Sequence, residues 1–61
     1  MWLFEAHYTN IFTEEKSKEK IEIDIPCYGA EKEAYLQAMG MAYDRKSEKH
    51  CLDSLEFIAC W

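Results

Sequence analysis

Histidine and cysteine are the most reactive side chains of this 61-residue chain, and their spacing argues against an enzyme. Cys51 directly follows His50, but consecutive side chains point to opposite faces of a strand and diverge around a helix, so the pair does not suit a nucleophile and its base. Cys27 and Cys60 are isolated, whereas zinc sites use ligands two to four residues apart. Two glycines are too few for a phosphate-binding loop. We expect no catalytic residue, no metal and no cofactor.

His7 and the carboxylates near it form the remaining group that could do acid–base or metal chemistry. His7 and Asp24 become cross-strand neighbours if the hairpin register allows it. Catalysis, however, needs a concave pocket that excludes water, and a chain of this length has little room for one. We therefore interpret His7 as a surface histidine.

The charge balance bears on the kind of partner. Seven Lys and Arg residues against twelve Asp and Glu give a net charge of −5, which argues against nucleic-acid binding, because that binding draws its affinity from cations. Neither a transmembrane segment nor a signal peptide is expected from the pattern of apolar residues. An odd number of cysteines, three, favours free thiols in a reducing cytoplasm.

Two stretches of alternating apolar and polar residues predict an N-terminal hairpin. Residues 2–12 place apolar side chains at even positions from Trp2 to Tyr8, and residues 20–25 alternate isoleucines with charged residues. Pro26 ends the second strand because it has no amide hydrogen for the sheet. The polar residues 13–19 between the strands are predicted to be the hairpin loop.

The apolar period changes after Gly29 and predicts an amphipathic helix over about residues 30–46. Small side chains dominate its apolar face, so the helix can lie close to a sheet that carries large side chains. The face consists of Ala34, Ala38, Met41 and Ala42. Gly40 lies within the helix, where it lowers helix propensity and permits close packing against a neighbour.

The last strand completes the fold. Leu55, Phe57 and Ala59 alternate with more polar residues and predict a strand at the C-terminus. A right-handed crossover that skips the first strand places this last strand antiparallel beside it. We therefore predict one compact α+β domain over residues 1–61, with element order β-β-α-β, a three-stranded antiparallel sheet in the order 2-1-3 and one helix on one face.

The sheet face opposite the helix is predicted to be open. Strand alternation places four carboxylates on it beside one lysine, together with apolar residues that a solvated face does not need. The candidate partner-binding residues are Leu3, Glu5, His7, Ile11, Glu22, Asp24, Glu56 and Ile58. A solvated face, a self-association surface and a partner-binding surface all agree with this pattern.

Four fold patterns carry a resemblance to a known kind of protein. They are Phe4-x-Ala6-x-Tyr8, Ile21-x-Ile23-x-Ile25, Ala34-x-x-x-Ala38-x-x-x-Ala42 and Leu55-Glu56-Phe57-Ile58. In these patterns the chain resembles small ββαβ proteins of bacteriophages and of mobile elements in gut Firmicutes. Many of those with an assigned role bind host proteins, including nucleases of host defence. The resemblance implies a binding role in the cytoplasm of a bacterial or phage-infected cell.

These observations together predict a non-enzymatic protein that acts by contact with another protein, either as a homodimer or with a host partner. A narrower hypothesis is that the acidic face mimics nucleic-acid phosphates and blocks the basic groove of a host nuclease, in the manner of an anti-CRISPR or other anti-defence protein. One alternative is a structural homodimer without an inhibitory role. Another is a small nucleic-acid-binding module that contacts phosphates through Arg45, Lys46 and Lys49.

Overall fold

The computed structural model describes all 61 residues and contains three strands and one helix. In chain order they are β1 (Trp2–Asn10), β2 (Lys16–Ile23), α1 (Glu31–Arg45) and β3 (His50–Cys60). The strands form one antiparallel sheet in the order β2-β1-β3. The predicted α+β class, element order and sheet order are confirmed. The helix is neither long nor apolar enough to cross a membrane.

The core lies between α1 and the sheet, and β1 runs through its centre. Every even-numbered residue of β1 up to Tyr8 is buried, as the period-2 pattern predicts. Ala34, Ala38 and Ala42 are fully buried on the helix side. Because these side chains are single methyl groups, the helix can lie close to the large side chains of β1 and β2.

Tyr8 joins the far end of β1 to the last turn of the helix. Its hydroxyl donates a hydrogen bond of 3.2 Å to the carbonyl of Ala42. Burial raises the pKa of this hydroxyl above 10.0, its usual value; Glu19 adds to the shift and Arg45 opposes it. Tyr8 therefore combines a large apolar contact with one satisfied polar group.

The hairpin differs from the prediction in its boundaries. β1 ends at Asn10 rather than at residue 12, and β2 begins at Lys16 rather than at residue 20, so four of the seven residues of the predicted loop are strand. The Asn10 carboxamide oxygen accepts hydrogen bonds from the backbone N–H of Phe12 and Thr13 and forms the turn. The prediction was wrong because the first five residues of β2 are all exposed and show no apolar alternation.

Two irregularities in β3 change which of its side chains face the helix. The β1–β3 register shifts between Leu3 and Phe4 and again between His7 and Tyr8, as a bulge requires. Cys60 therefore lies opposite Trp2 and packs against the core, and Ala59 lies opposite Leu3 on the open face. Strict alternation predicts Ala59 on the helix side and Cys60 on the open face, and both placements are wrong because alternation assumes a strand without inserted residues.

A disulfide joins Cys27 to Cys60, so the expectation of three free thiols is wrong for two of them. Cys51 is free and exposed. Beside the disulfide, the Met1 ammonium group donates hydrogen bonds to the backbone carbonyls of Ile25, at 3.0 Å, and Trp61, at 2.7 Å. Both ends of the chain are thus tied to the segment between β2 and α1.

Candidate functional site

The open face of the sheet is built outward from β1. Leu3, Glu5, His7 and Thr9 point away from the helix, because they alternate with the buried residues of that strand. On one side their cross-strand partners in β2 are Glu22, Lys20, Lys18 and Lys16; on the other, their partners in β3 are Ala59, Glu56, Ser54 and Cys51. The chain itself places no helix over this face, which is flat and polar.

Glu5, His7 and Glu56 form a compact cluster at the centre of the open face. His7 Nε2 lies 3.3 Å from Glu5 Oε1 and 3.2 Å from Glu56 Oε2. The carboxylates of Glu5 and Glu56 lie directly opposite each other across β1 and β3. Two like charges in such a cross-strand pair repel each other unless a hydrogen-bond donor lies between them. The imidazole occupies that position.

The three side chains of the cluster differ in exposure. The side chains of Glu5, His7 and Glu56 are 13%, 35% and 59% exposed, respectively. Their ligand-type atoms all lie within 4.8 Å of one another, and by type the three side chains could also hold a cation. The carboxylate of Glu56 is the most accessible group for an incoming donor.

Three lysines form a row on β2, and the sequence analysis missed two of them, because it placed only Lys20 on the open face. Lys16, Lys18 and Lys20 are exposed and lie opposite Thr9, His7 and Glu5, respectively. The signal that could have found the row is its own period-2 spacing, which continues in phase with Glu22. Lysines on an edge strand also discourage pairing with a strand from another molecule.

The lysine row corrects the predicted charge of the open face. The prediction placed four carboxylates beside one lysine, whereas three lysines lie on β2 alone. Asp53 of β3 adds a carboxylate, because it accepts a hydrogen bond from the Thr9 hydroxyl. With Glu5, Glu22 and Glu56, four carboxylates now face three lysines. The face is divided by sign rather than uniformly acidic.

Three of the predicted site residues lie at the margins of the face. Ile11 follows the end of β1, and Asp24 follows the end of β2. Ile58 has no register partner in β1 because it lies at the bulge of β3. His7 lies opposite Lys18, so the possible pairing with Asp24 is wrong. The structure brings together the other five, which are Leu3, Glu5, His7, Glu22 and Glu56.

The basic end of the helix is partly occupied by contacts within the chain. Arg45 forms an ion pair with Glu19 at 2.8 Å, and Lys46 Nζ donates a hydrogen bond to the His50 carbonyl at 3.1 Å. Of the three cations that the nucleic-acid hypothesis uses, Lys49 therefore has the fewest side-chain contacts of this kind. Phosphate binding would have to compete with the contacts of the other two.

A shallow cleft of about 320 Å³ lies on the helix side, between α1 and β3. Its lining combines Phe4, Tyr35 and Phe57 with the charged side chains of Glu31 and Lys32. His50, on the same strand, forms a hydrogen bond with the Ser47 hydroxyl at 2.6 Å and does not line the cleft. The cleft is thus mainly aromatic.

Comparison with known proteins gives no relative from which a function could be transferred. No family model, curated protein or solved structure matches the chain. The resemblance to phage and mobile-element proteins stays a prediction. Function must therefore be inferred from the arrangement of side chains on the surface.

Proposed function

We propose that this protein acts by binding another protein non-covalently through the open face of its sheet. The observation that carries the proposal is the division of that face by charge. Lys16, Lys18 and Lys20 form one row along β2, and the pair Glu5–Glu56 lies beside it across β1 and β3. Separate groups of opposite charge can attract a complementary surface in a defined orientation.

A face divided by sign selects its partner by complementarity. A partner surface with acidic groups opposite the lysine row and a basic group opposite Glu56 would gain attraction in one orientation only. Complementary charges of this kind mainly increase specificity and the association rate. Leu3, half-buried on the same face, adds apolar contact.

The charge pattern favours this broader function over the nuclease-blocking hypothesis. A mimic of nucleic-acid phosphates needs a contact surface dominated by carboxylates. On the open face of this protein, three lysines offset the four carboxylates. The cytoplasmic location expected from the cysteine count stays a prediction. The Cys27–Cys60 disulfide counts against that expectation, because such bonds persist mainly in oxidising compartments.

Matched charge reversals test the proposal. The tagged protein is used to capture partners from a lysate of its cell of origin, and the retained proteins are compared among variants. Lys18→Glu reverses a charge on the open face, and Lys49→Glu makes the same change in net charge before β3. Glu56→Lys and Glu48→Lys form the corresponding pair of opposite sign.

The expected result is a protein retained at low salt by the wild type, Lys49→Glu and Glu48→Lys, and lost from Lys18→Glu and Glu56→Lys. Raised salt should release it, because exposed charges are screened. Equal retention by all five proteins, or retention of no protein by the wild type, contradicts binding through the open face.

A further inference from the structure

α1 carries large apolar side chains on the side that faces away from the sheet. Its buried residues are alanines alone, whereas Leu36 and Tyr43 are 59% and 55% exposed. At about 100° per residue, five positions fall into one stripe roughly opposite Ala38. We call this the outer stripe; it consists of Lys32, Leu36, Met39, Gly40 and Tyr43. A helix on the surface of a domain normally keeps this side polar.

Neither packing nor backbone conformation within the single chain requires a glycine at position 40. A Cβ at this position would meet no atom within 4 Å, and the residue has an ordinary helical backbone rather than a positive φ. Glycine is nevertheless among the least favourable residues in a helix interior. Its place on the outer stripe is explained if the backbone of another helix approaches closely there.

Charges of opposite sign border the two sides of the outer stripe. Lys32, at one edge of the outer stripe, and Lys46, the residue after α1, lie toward one side. Lys46 Nζ stands 6.0 Å from the centre of the Tyr43 ring, in addition to its hydrogen bond to the His50 carbonyl. On the other side, Glu33 and Asp44 are both exposed. One flank is therefore basic and the other is acidic.

We propose that two copies of this chain associate through the outer stripe, with their α1 helices parallel about a two-fold axis that runs along them. This symmetry places the basic flank of each copy on the acidic flank of the other, so Lys32 approaches Glu33, and Lys46 approaches Asp44. An antiparallel pair joins basic to basic and acidic to acidic. Charge complementarity thus selects both the second copy and its orientation, and the proposal goes beyond partner binding by the open face.

The size of the outer stripe makes this dimer weak. A helix of 15 residues is about 22 Å long. A standard interface covers roughly 800 Å² of each partner, close to a fifth of the 4360 Å² surface of this chain. One helix face supplies less than that, so we expect a weak dimer that is populated only at high protein concentration.

Sedimentation velocity over a concentration series, from about 1 μM to about 1 mM, measures the association. The mass should rise from 7.3 kDa toward twice that value. Lys32→Glu should weaken the dimer about tenfold, because symmetry applies the reversal at two contacts. The exchange Lys32→Glu/Glu33→Lys should restore it. Lys18→Glu makes the same charge change on the open face and should leave it unchanged.

Gly40→Gln separates association from folding. The substitution should raise the melting temperature of the dilute monomer, because glutamine is the better helix former, and should weaken the dimer at least tenfold, because its side chain blocks close approach. Cross-linking then tests orientation: with Cys51→Ser, Tyr43→Cys at the end of the outer stripe should form a disulfide-linked dimer rapidly in oxidised glutathione. Residue 43 lies beside its own copy in a parallel pair, whereas an antiparallel pair centred on Ala38 separates the two copies by about 15 Å along the helices. A wild type of single-chain mass at the highest concentration, failure of the exchange to restore association, or slow cross-linking overturns the proposal.

Discussion

Reduction of the Cys27–Cys60 disulfide should cost this protein a large share of its stability. The bond joins residues 33 apart in sequence, and the loop-closure relation gives about 4 kcal/mol for a loop of that length. A domain of 61 residues has a free energy of unfolding of roughly 3–9 kcal/mol. The reduced protein should therefore be marginally stable or unfolded.

Urea unfolding followed by circular dichroism measures the effect. With a slope of about 1 kcal/mol per molar urea, as for the smallest domains, the midpoint should fall by roughly 4 M in a reducing agent. Cys27→Ser/Cys60→Ser should unfold at the reduced midpoint under both conditions. Cys51→Ser, which keeps the disulfide, serves as the control and should respond to reduction as the wild type does. A wild-type midpoint that is the same with and without reductant would refute the reasoning.

Three further predictions concern the core and the central cluster and use the same unfolding measurement. Tyr8→Phe should cost about 1 kcal/mol, because the hydrogen bond to Ala42 is lost. Because the pKa of Tyr8 is raised in the folded state, its contribution to the free energy of unfolding is constant below pH 10.0 and is lost as the pH rises above that value. In that range Tyr8→Phe should lose less stability than the wild type. An equal loss in both proteins would contradict a buried, raised-pKa hydroxyl at Tyr8. Ala38→Leu should cost about 1–3 kcal/mol through overpacking, and a neutral effect would mean that the helix does not lie close to the sheet. His7→Ala should cost roughly 0.5–1 kcal/mol, because it leaves the carboxylates of Glu5 and Glu56 to repel each other. In the Glu56→Gln background the same His7→Ala change should cost much less. An equal cost in both backgrounds would show that His7 does not bridge the two carboxylates.

The alternation of β1 is the reason that the fold could be predicted. Its buried even positions mark a strand covered on one face only, and the change to helical spacing after Gly29 marks the crossover. The rule for right-handed crossovers then limits the order of strands. The helix bounds were predicted within one residue, because its alanine face is periodic.

The features that were missed depend on contacts rather than on spacing. The exposed beginning of β2 has no apolar alternation, so Lys16 and Lys18 of the lysine row were interpreted as part of a loop. The bulges of β3 insert residues that a strict period-2 pattern does not allow, and they turn Cys60 toward the core. The pairing of Cys60 with Cys27 follows from that turn and could not be predicted from an odd number of cysteines.

The sequence predicted which residues lie at the centre of the open face but not which residues lie at its border. Glu5, His7 and Glu56 share the open face because β1 and the middle of β3 follow simple alternation. Their mutual contact depends on the β1–β3 register, which periodicity does not supply. Ile11 and Asp24 fell outside the face because the strands end earlier than the apolar pattern suggests.

Site-specific photo-crosslinking in the cell of origin tests binding through the open face most directly. A benzophenone side chain is placed at Lys18 in the lysine row, or at the exposed residue Glu48 outside the sheet as the control. The expected result is one covalent adduct with a different protein from position 18 and none from position 48. An adduct of equal yield from both positions, or no adduct from position 18, contradicts the central claim.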